Sequence, residues 1–350
     1  MKKSEHHICF VAGKSGGHII PALTLAERLC TENPNTRILF FSTDAILDQK
    51  IIGENKLIER HVRLPIGSSP VKPSNYLFIG YAFVKSFFKS FAVLRKNRPE
   101  RVISMGGLVS IPVCLAARLW RIPVTLYELN AVPGRAVHFL APYVREIRVC
   151  FDAARARIKT PRNVKIICDN YPVRFKQADK VSPDSARCAL GIPPDARVLL
   201  ILGGSQGSVF LNNFAEKLLK HILERDKGKS SPTARPIIVL HQAGEHDIDK
   251  LRHFYRKNRI EAHVCAYREN MALWYCATDF VVSRAGSGTL FESAFFGKKT
   301  LVIPLETRTT THQVDNAYAM AARHSDLFTV VRRKSIPNNS SLYNSILMHF

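Results

Sequence analysis

The segment Asp279-Phe-Val-Val-Ser-Arg-Ala-Gly-Ser-Gly-Thr-Leu-Phe-Glu292 passes from an apolar run through a glycine turn into a helix. Phe280, Val281 and Val282 read as a buried strand. Gly286 and Gly288 let the backbone turn sharply and lie close to a ligand. Thr289 to Gly297 reads as a helix closed by a glycine. A helix start behind a glycine turn aims free N–H groups, and the positive end of the helix dipole, at one point. Such a point suits phosphate. Thr289 and Glu292 are three apart and share a helix face, where a carboxylate can accept from two neighbouring sugar hydroxyls. The expected ligand is a nucleoside diphosphate. In isolation, a turn whose glycines serve packing alone has the same pattern.

Outward from this segment the same unit recurs. Ile8 to Val11 reads as a buried strand that runs into Ala12-Gly-Lys-Ser-Gly-Gly-His18, with a helix from Pro21 to Cys30. Further strands are expected at 37–42, 61–64, 101–104 and 123–128, the last two followed by Met105-Gly-Gly-Leu-Val-Ser110 and Leu129-Asn-Ala-Val-Pro-Gly134. After a linker that includes Asp169-Asn-Tyr-Pro-Val-Arg174, the order repeats. Arg197 to Leu202 is a strongly apolar strand followed by Gly203-Gly-Ser-Gln-Gly207, and strands are expected at 236–241, 262–265 and 301–303. Strands that alternate with helices, with ligand-type residues after the strands, make open parallel sheets. Two such doubly wound α/β units imply a cleft between them.

The composition agrees. The chain has 350 residues, 46% of them hydrophobic, and a formal net charge of +23 from 51 Lys and Arg against 28 Asp and Glu. The length fits about two domains. The charge favours an anionic partner, whether nucleic acid, anionic lipid or a phosphorylated substrate. Eight cysteines are scattered without a C-x-x-C pair, so neither zinc spacing nor a disulfide framework is visible, and a reducing cytosol is expected. No apolar run reads as a signal peptide or as a spanning helix.

Several short constellations carry chemistry. Gly13-Lys14-Ser15 lacks the earlier glycine of a P-loop, since Ile8 stands there. Gly16-Gly17-His18 places an imidazole at a glycine loop before a helix, where its titration near neutrality suits a general base; a helix-capping histidine is the plainer alternative. Gly203 to Gly207 offers a hydroxyl, an amide and backbone donors on one turn, as a diphosphate requires. Gln313 and Asn316 share a helix face and can both contact a sugar; a solvated helix start has the same pattern. Tyr76 to Arg95 is rich in aromatics with Lys85, Lys89 and Arg95 among them. Such a helix can lie in a membrane interface, or be buried with snorkelling lysines. No nucleic-acid module signature appears, and no nucleic-acid partner is expected.

Six motifs, at 13–18, 106–110, 128–130, 203–207, 284–292 and 312–316, occur in the order that resembles the MurG family of glycosyltransferases, glycosyltransferase family 28. The resemblance spans roughly residues 7 to 330. It implies the GT-B fold, with an acceptor and membrane-docking domain at 1–168 and a UDP-sugar domain at 169–350. It also implies a UDP-N-acetylglucosamine donor, lipid I as acceptor, work at the cytoplasmic face of the inner membrane against its anionic surface, and no cofactor or metal. By motif, Ser15, Gly16, Gly17, Asn130 and Arg174 are expected at the donor. Ser205 and Gln206 are expected at the diphosphate, and Arg268 lines the uracil through its backbone. Ser287, Gly288, Thr289, Leu290, Phe291 and Glu292 are expected around phosphate and ribose, with Gln313 and Asn316 on the sugar. His18 resembles the proposed base, Glu128 is the other catalytic candidate, and the family inverts the anomeric centre.

The sequence departs from the pattern at four places. Lys14 stands where the family usually has glycine, beside the diphosphate. Tyr127 and Leu129 replace a histidine and a glutamine around Glu128. The 169–174 segment carries an extra residue. The family's further C-terminal helices, the last crossing back to the first domain, are expected beyond where Phe350 ends the sequence. Two other readings compete: a related transferase with another lipid or UDP-sugar, and a non-catalytic membrane-bound scaffold.

Overall fold

The computed structural model describes residues 6–53, 55–66, 76–204, 206–227, 235–306, 312–336 and 343. The chain divides into two compact units, Met1–Arg174 and Phe175–Phe350.

In the first unit the strands are β1 (His6–Val11), β2 (Thr36–Thr43), β3 (Ile58–Leu64), β4 (Arg101–Ser104), β5 (Val124–Glu128), β6 (Glu146–Val149) and β7 (Lys165–Cys168). They form one sheet in the order β3-β2-β1-β4-β5-β6-β7, with every neighbouring pair parallel. The helices are α1 (Gly16–Glu32), α2 (Ile46–Gly53), α3 (Tyr76–Asn97), α4 (Ser110–Leu119), α5 (Arg135–Leu140) and α6 (Asp152–Arg155). Cys9, Val11, Phe41, Val102 and Leu126 form the centre of its core.

The second unit repeats the plan. Its strands β8 (Arg197–Leu202), β9 (Ile237–Gln242), β10 (Glu261–Cys265), β11 (Phe280–Ser283), β12 (Thr300–Val302) and β13 (Phe328–Val330) lie in the order β10-β9-β8-β11-β12-β13. All pairs are again parallel. The helices are α7 (Pro183–Leu190), α8 (Val209–Lys227), α9 (Ile248–Lys257), α10 (Ala272–Ala277), α11 (Ser287–Phe295) and α12 (His312–Arg323). Val198 to Leu202 is buried throughout, as a central strand covered on both faces must be.

Three strands escape the sequence reading: β6, β7 and β13. Each is short and lies toward a sheet edge, and Glu146, Arg148 and Lys165 interrupt the apolar runs by which a buried strand is recognised. In each sheet the order reverses once, between β1 and β4 and between β8 and β11. A doubly wound sheet opens its ligand crevice at that reversal, outside the carboxyl ends of the strands.

Helix α3 combines both readings offered for it. Phe83, Phe87 and Phe91 pack on the core of the first unit, and Phe91 meets Trp120, with ring centroids 4.6 Å apart. On the outer side Leu77 (92%), Phe78 (54%), Tyr81 (64%), Val84 (51%) and Phe88 (64%) are exposed, with Lys85 and Lys89 beside them. The expectation that no run is long enough to span a bilayer is corrected: Leu77–Asn97 is long and apolar enough by length and composition. Lys85 and Lys89 are the only charges between Leu77 and Leu94. The helix nonetheless rests one face on the folded core.

Candidate active site

The first unit's site elements follow β1, β4 and β5. After β1, Ala12 donates its N–H to the Phe41 carbonyl at 3.1 Å, which carries the chain past the sheet edge. Lys14 is left-handed, with φ 73°. Ser15 is extended at the N-cap of α1, and His18 follows on the first turn, half-buried. After β4, Gly106 and Gly107 both take positive φ, 75° and 79°. Ser104 fixes that turn: its hydroxyl donates to Ser110 Oγ at 2.7 Å and accepts from the Gly106 N–H at 3.2 Å. A Cβ on Gly107 would stand 3.8 Å from His18 Nδ1, so the two loops meet at the imidazole.

After β5, Glu128 is buried, with 3% of its surface exposed. Its Oε1 accepts from the backbone N–H and side-chain amide of Asn130, at 2.8 and 3.2 Å, and its Oε2 from the Gly134 N–H at 2.8 Å. Burial raises its pKa, and those hydrogen bonds oppose the rise. A carboxylate wrapped by its own turn is suited to holding Asn130, which is half-buried, rather than to taking a proton from a substrate. Tyr127 alternates to the other face of the strand. There its hydroxyl donates to Asp169 Oδ2 at 3.3 Å, under Arg148, and burial pushes its pKa up to about 12. Leu129 is a core residue. Both departures around Glu128 therefore face the protein interior. Arg174 is half-buried at the end of this unit.

In the second unit, α11 begins at Ser287, two residues earlier than expected, and Gly297 with φ 64° closes it. Gly286 is extended, at φ −66° and ψ 134°, so the turn does not need glycine for its backbone angle. The N–H groups of Ser287, Gly288 and Thr289 lie in the first turn, where a helix provides no carbonyl for them. Leu290 and Phe291 are buried, and the Leu290 N–H donates to the Gly286 carbonyl at 3.1 Å. Glu292 is half-buried, and the Tyr275 hydroxyl donates to its Oε2 at 3.2 Å.

The glycine turn after β8 is braced from below. A Cβ on Gly203 would stand 2.7 Å from the Ser208 nitrogen, and one on Gly207 would strike the Ala243 carbonyl. Gln206 is exposed on this turn, and Ser205 lies outside the described residues. Gln242, at the end of β9, donates from Nε2 to the Gly204 carbonyl at 3.0 Å and accepts the Arg268 N–H at Oε1, 3.2 Å away. The Arg268 side chain donates to the Asn270 carbonyl at 2.9 Å and lies over Trp274. Arg284 donates to Ser208 Oγ at 2.8 Å from Nη2 and reaches the Ile303 carbonyl at 3.1 Å, tying the two loops at the sheet reversal together.

The His312 helix is corrected in part. Asn316 is fully buried, at 0% exposure, and its amide donates to the Ala285 carbonyl at 3.3 Å. It supports the Ala285–Gly286 turn from within and does not present itself to a sugar. Gln313 is half-buried, and its Oε1 accepts from the Leu305 N–H at 3.0 Å. Sequence reasoning missed Asp48, Ser208, Gln242 and Tyr275. None of them lies in a glycine motif, and each acts by hydrogen bonding to a segment distant in the chain.

Among the described residues no group of three or more His, Cys, Asp or Glu side chains is arranged to hold a metal ion.

Residues 8–149 match the glycosyltransferase family 28 N-terminal domain, and residues 198–345 match the glycosyltransferase family 28 C-terminal domain. A Treponema denticola protein named UDP-N-acetylglucosamine--N-acetylmuramyl-(pentapeptide) pyrophosphoryl-undecaprenol N-acetylglucosamine transferase is 30% identical, over 89% of this chain and 80% of its own. A Thermus thermophilus protein of the same name is 31% identical, over 86% of this chain and 80% of its own. The crystal structure of Acinetobacter baumannii MurG superposes with a TM-score of 0.68 at 22% identity, covering 98% of this chain and 90% of that one. With both domains matched in order, and relatives of this identity over most of its length, the chain belongs to glycosyltransferase family 28, among its MurG members.

Proposed function

We propose that the protein transfers N-acetylglucosamine from UDP-N-acetylglucosamine to the muramoyl sugar of undecaprenyl-diphosphate-linked lipid I, giving lipid II for peptidoglycan synthesis. The observation that carries this reading is the start of α11 at the second sheet's reversal, with Glu292 on the same helix. The first-turn N–H groups of α11 receive the diphosphate, and the helix dipole favours its charge. Glu292 accepts from the ribose hydroxyls. The Arg268 backbone meets the uracil, and Gln206 and Gln313 face the phosphates and the sugar.

The reaction is a single inverting displacement. His18 takes the proton of the acceptor hydroxyl as its oxygen bonds the anomeric carbon. The bond from that carbon to the phosphate oxygen breaks, and UDP leaves with the electron pair. Positive potential at the α11 start stabilises the charge that develops on the leaving group. Ser15, Gly16, Gly17 and Asn130 are the first unit's counterparts of the family's donor contacts. Glu128 acts through Asn130 as its positioning residue.

The acceptor is anchored in a bilayer, so the enzyme docks at the cytoplasmic membrane surface. The exposed apolar stripe of α3 enters the interface, and Lys85, Lys89, Arg95 and Lys96 meet anionic head groups. The test is transfer of radiolabelled N-acetylglucosamine from its UDP adduct to lipid I. The expected product is labelled lipid II. Donor binding without transfer to lipid I would overturn the reading.

A further inference from the structure

Asp48 lies in the first turn of α2 and is fully buried, yet it belongs to none of the site motifs. Its two carboxylate oxygens each lie 3.0 Å from the Lys14 nitrogen. Oδ2 also accepts from the Thr43 N–H at 3.2 Å and from the Thr43 hydroxyl at 2.5 Å. One buried carboxylate thus gathers the end of β2 and the loop that leads into the helix of His18.

The backbone of that loop shows why the anchor is needed. Four non-glycine residues among those described have positive φ: Lys14, Arg98, Arg121 and Arg259. The three arginines each follow a helix, and their N–H groups return to carbonyls of the preceding turn. Such helix ends commonly take the left-handed conformation. Lys14 instead stands between a strand and a helix, and its N–H goes to Asp48. An L-residue with a long side chain is disfavoured there, because its Cβ crowds the backbone. The neighbouring Gly13 leaves room for the carboxylate, since a Cβ would come within 2.7 Å of Asp48 Oδ2.

We propose that Asp48 is a positioning residue for the transfer reaction: it holds Lys14 left-handed and so sets the direction in which Ser15 to His18 enter α1. The inference rests on His18 being the base. A carboxylate suits the task because both oxygens only accept, whereas an amide would turn a donor toward the Lys14 N–H. The requirement belongs to the pair, because glycine at position 14 would take the same conformation unaided.

The test compares Asp48→Asn in two backgrounds, with Lys14 and with Lys14→Gly. Thermal melts report folding, and amide hydrogen exchange over residues 12–20 reports the loop without reference to catalysis. With Lys14 present, Asp48→Asn should speed exchange in that segment and lower kcat about tenfold, the cost of losing a left-handed residue's support. Affinity for UDP itself should stay within about twofold, since the proposed phosphate and ribose contacts lie on the other unit. With Lys14→Gly, the same change should cost less than about threefold, a non-additivity that marks a coupled pair. If Asp48→Asn fails to fold, Lys14→Val with Asp48 intact keeps the idea testable. A β-branched residue resists the left-handed region, so exchange should rise and kcat should fall as above. Equal losses in both backgrounds, or unchanged exchange, would overturn the inference. Failure of the base assignment is separately visible: His18→Ala would then keep its turnover while the exchange differences persisted.

Discussion

The Tyr275 hydroxyl donates to Glu292 Oε2 across 3.2 Å, from a ring stacked on Phe296 at a centroid distance of 5.0 Å and an interplanar angle of 9°. Tyr275 lies on α10 and is fully buried, so the carboxylate on α11 is oriented by a side chain fixed in the core. Glu292→Ala should weaken UDP binding by roughly 1.5–3 kcal/mol, the range for hydrogen bonds to a charged group. Tyr275→Phe keeps the stack and removes only the donor, and should cost about 0.5–1.5 kcal/mol. Calorimetry on the folded variants checks both. Unchanged UDP affinity in Glu292→Ala would end the ribose assignment.

His18→Ala should lower turnover by about 10²–10⁴-fold, the contribution of a positioned general base. UDP affinity should hold, because the proposed phosphate and ribose contacts lie on the second unit. Single-turnover transfer with lipid I, beside UDP titration, separates chemistry from binding. If turnover persists, the imidazole is structural and not the base.

The outer face of α3 can be changed without touching its inner face. Phe78, Tyr81 and Phe88 are exposed, whereas Phe87 packs on the core. Changing the first three to Ser should leave the melting temperature nearly unchanged and weaken sedimentation with anionic vesicles. Phe87→Ser should instead destabilise the fold, by the several kcal/mol, about 3–5, typical of a truncated core aromatic. Binding should also fall with salt, since each basic residue near the surface contributes on the order of 1 kcal/mol that screening removes. A folded triple variant that still sediments fully would assign docking elsewhere.

His241 supplies a pH dependence unrelated to catalysis. It is buried between Tyr255, 2.7 Å from Nδ1, and Asn212, 3.1 Å from Nε2. Burial lowers its pKa from 6.5 to about 3. In that window the unfolded chain binds a proton that the folded chain refuses, so stability present above pH 6.5 is lost as pH falls toward 3. The loss is about 1.4 kcal/mol per pH unit from this group. Chemical denaturation at a series of pH values should show a shallower dependence in His241→Gln, by up to one proton. Identical slopes would mean that His241 titrates normally in the fold.

Much of this protein is legible along the chain. Buried parallel strands are nearly continuous apolar runs, and glycine loops sit where they end, so β1, β4, β8 and β11 and their loops were readable locally. Strands β6, β7 and β13, at or next to a sheet edge, were not: they are only three or four residues long, and charge interrupts β6 and β7. The two readings of α3 could not be separated from sequence, since only packing decides which of its aromatics face the core. Side-chain direction likewise decided that Asn316 is buried under a turn and that Tyr127 faces away from the site. The braces were invisible for another reason. Asp48 and Gln242 hold loops 34, and 38 and 26, residues away in the chain, Tyr275 holds a helix residue 17 away, and hydrogen bonds over such separations leave no local spacing to read. Sequence by itself therefore determined the family, the two doubly wound sheets and where the loops fall. The tertiary structure decided which polar groups are buried as braces and which are left at the surface of the loops, because that depends on burial and on partners brought together only by folding.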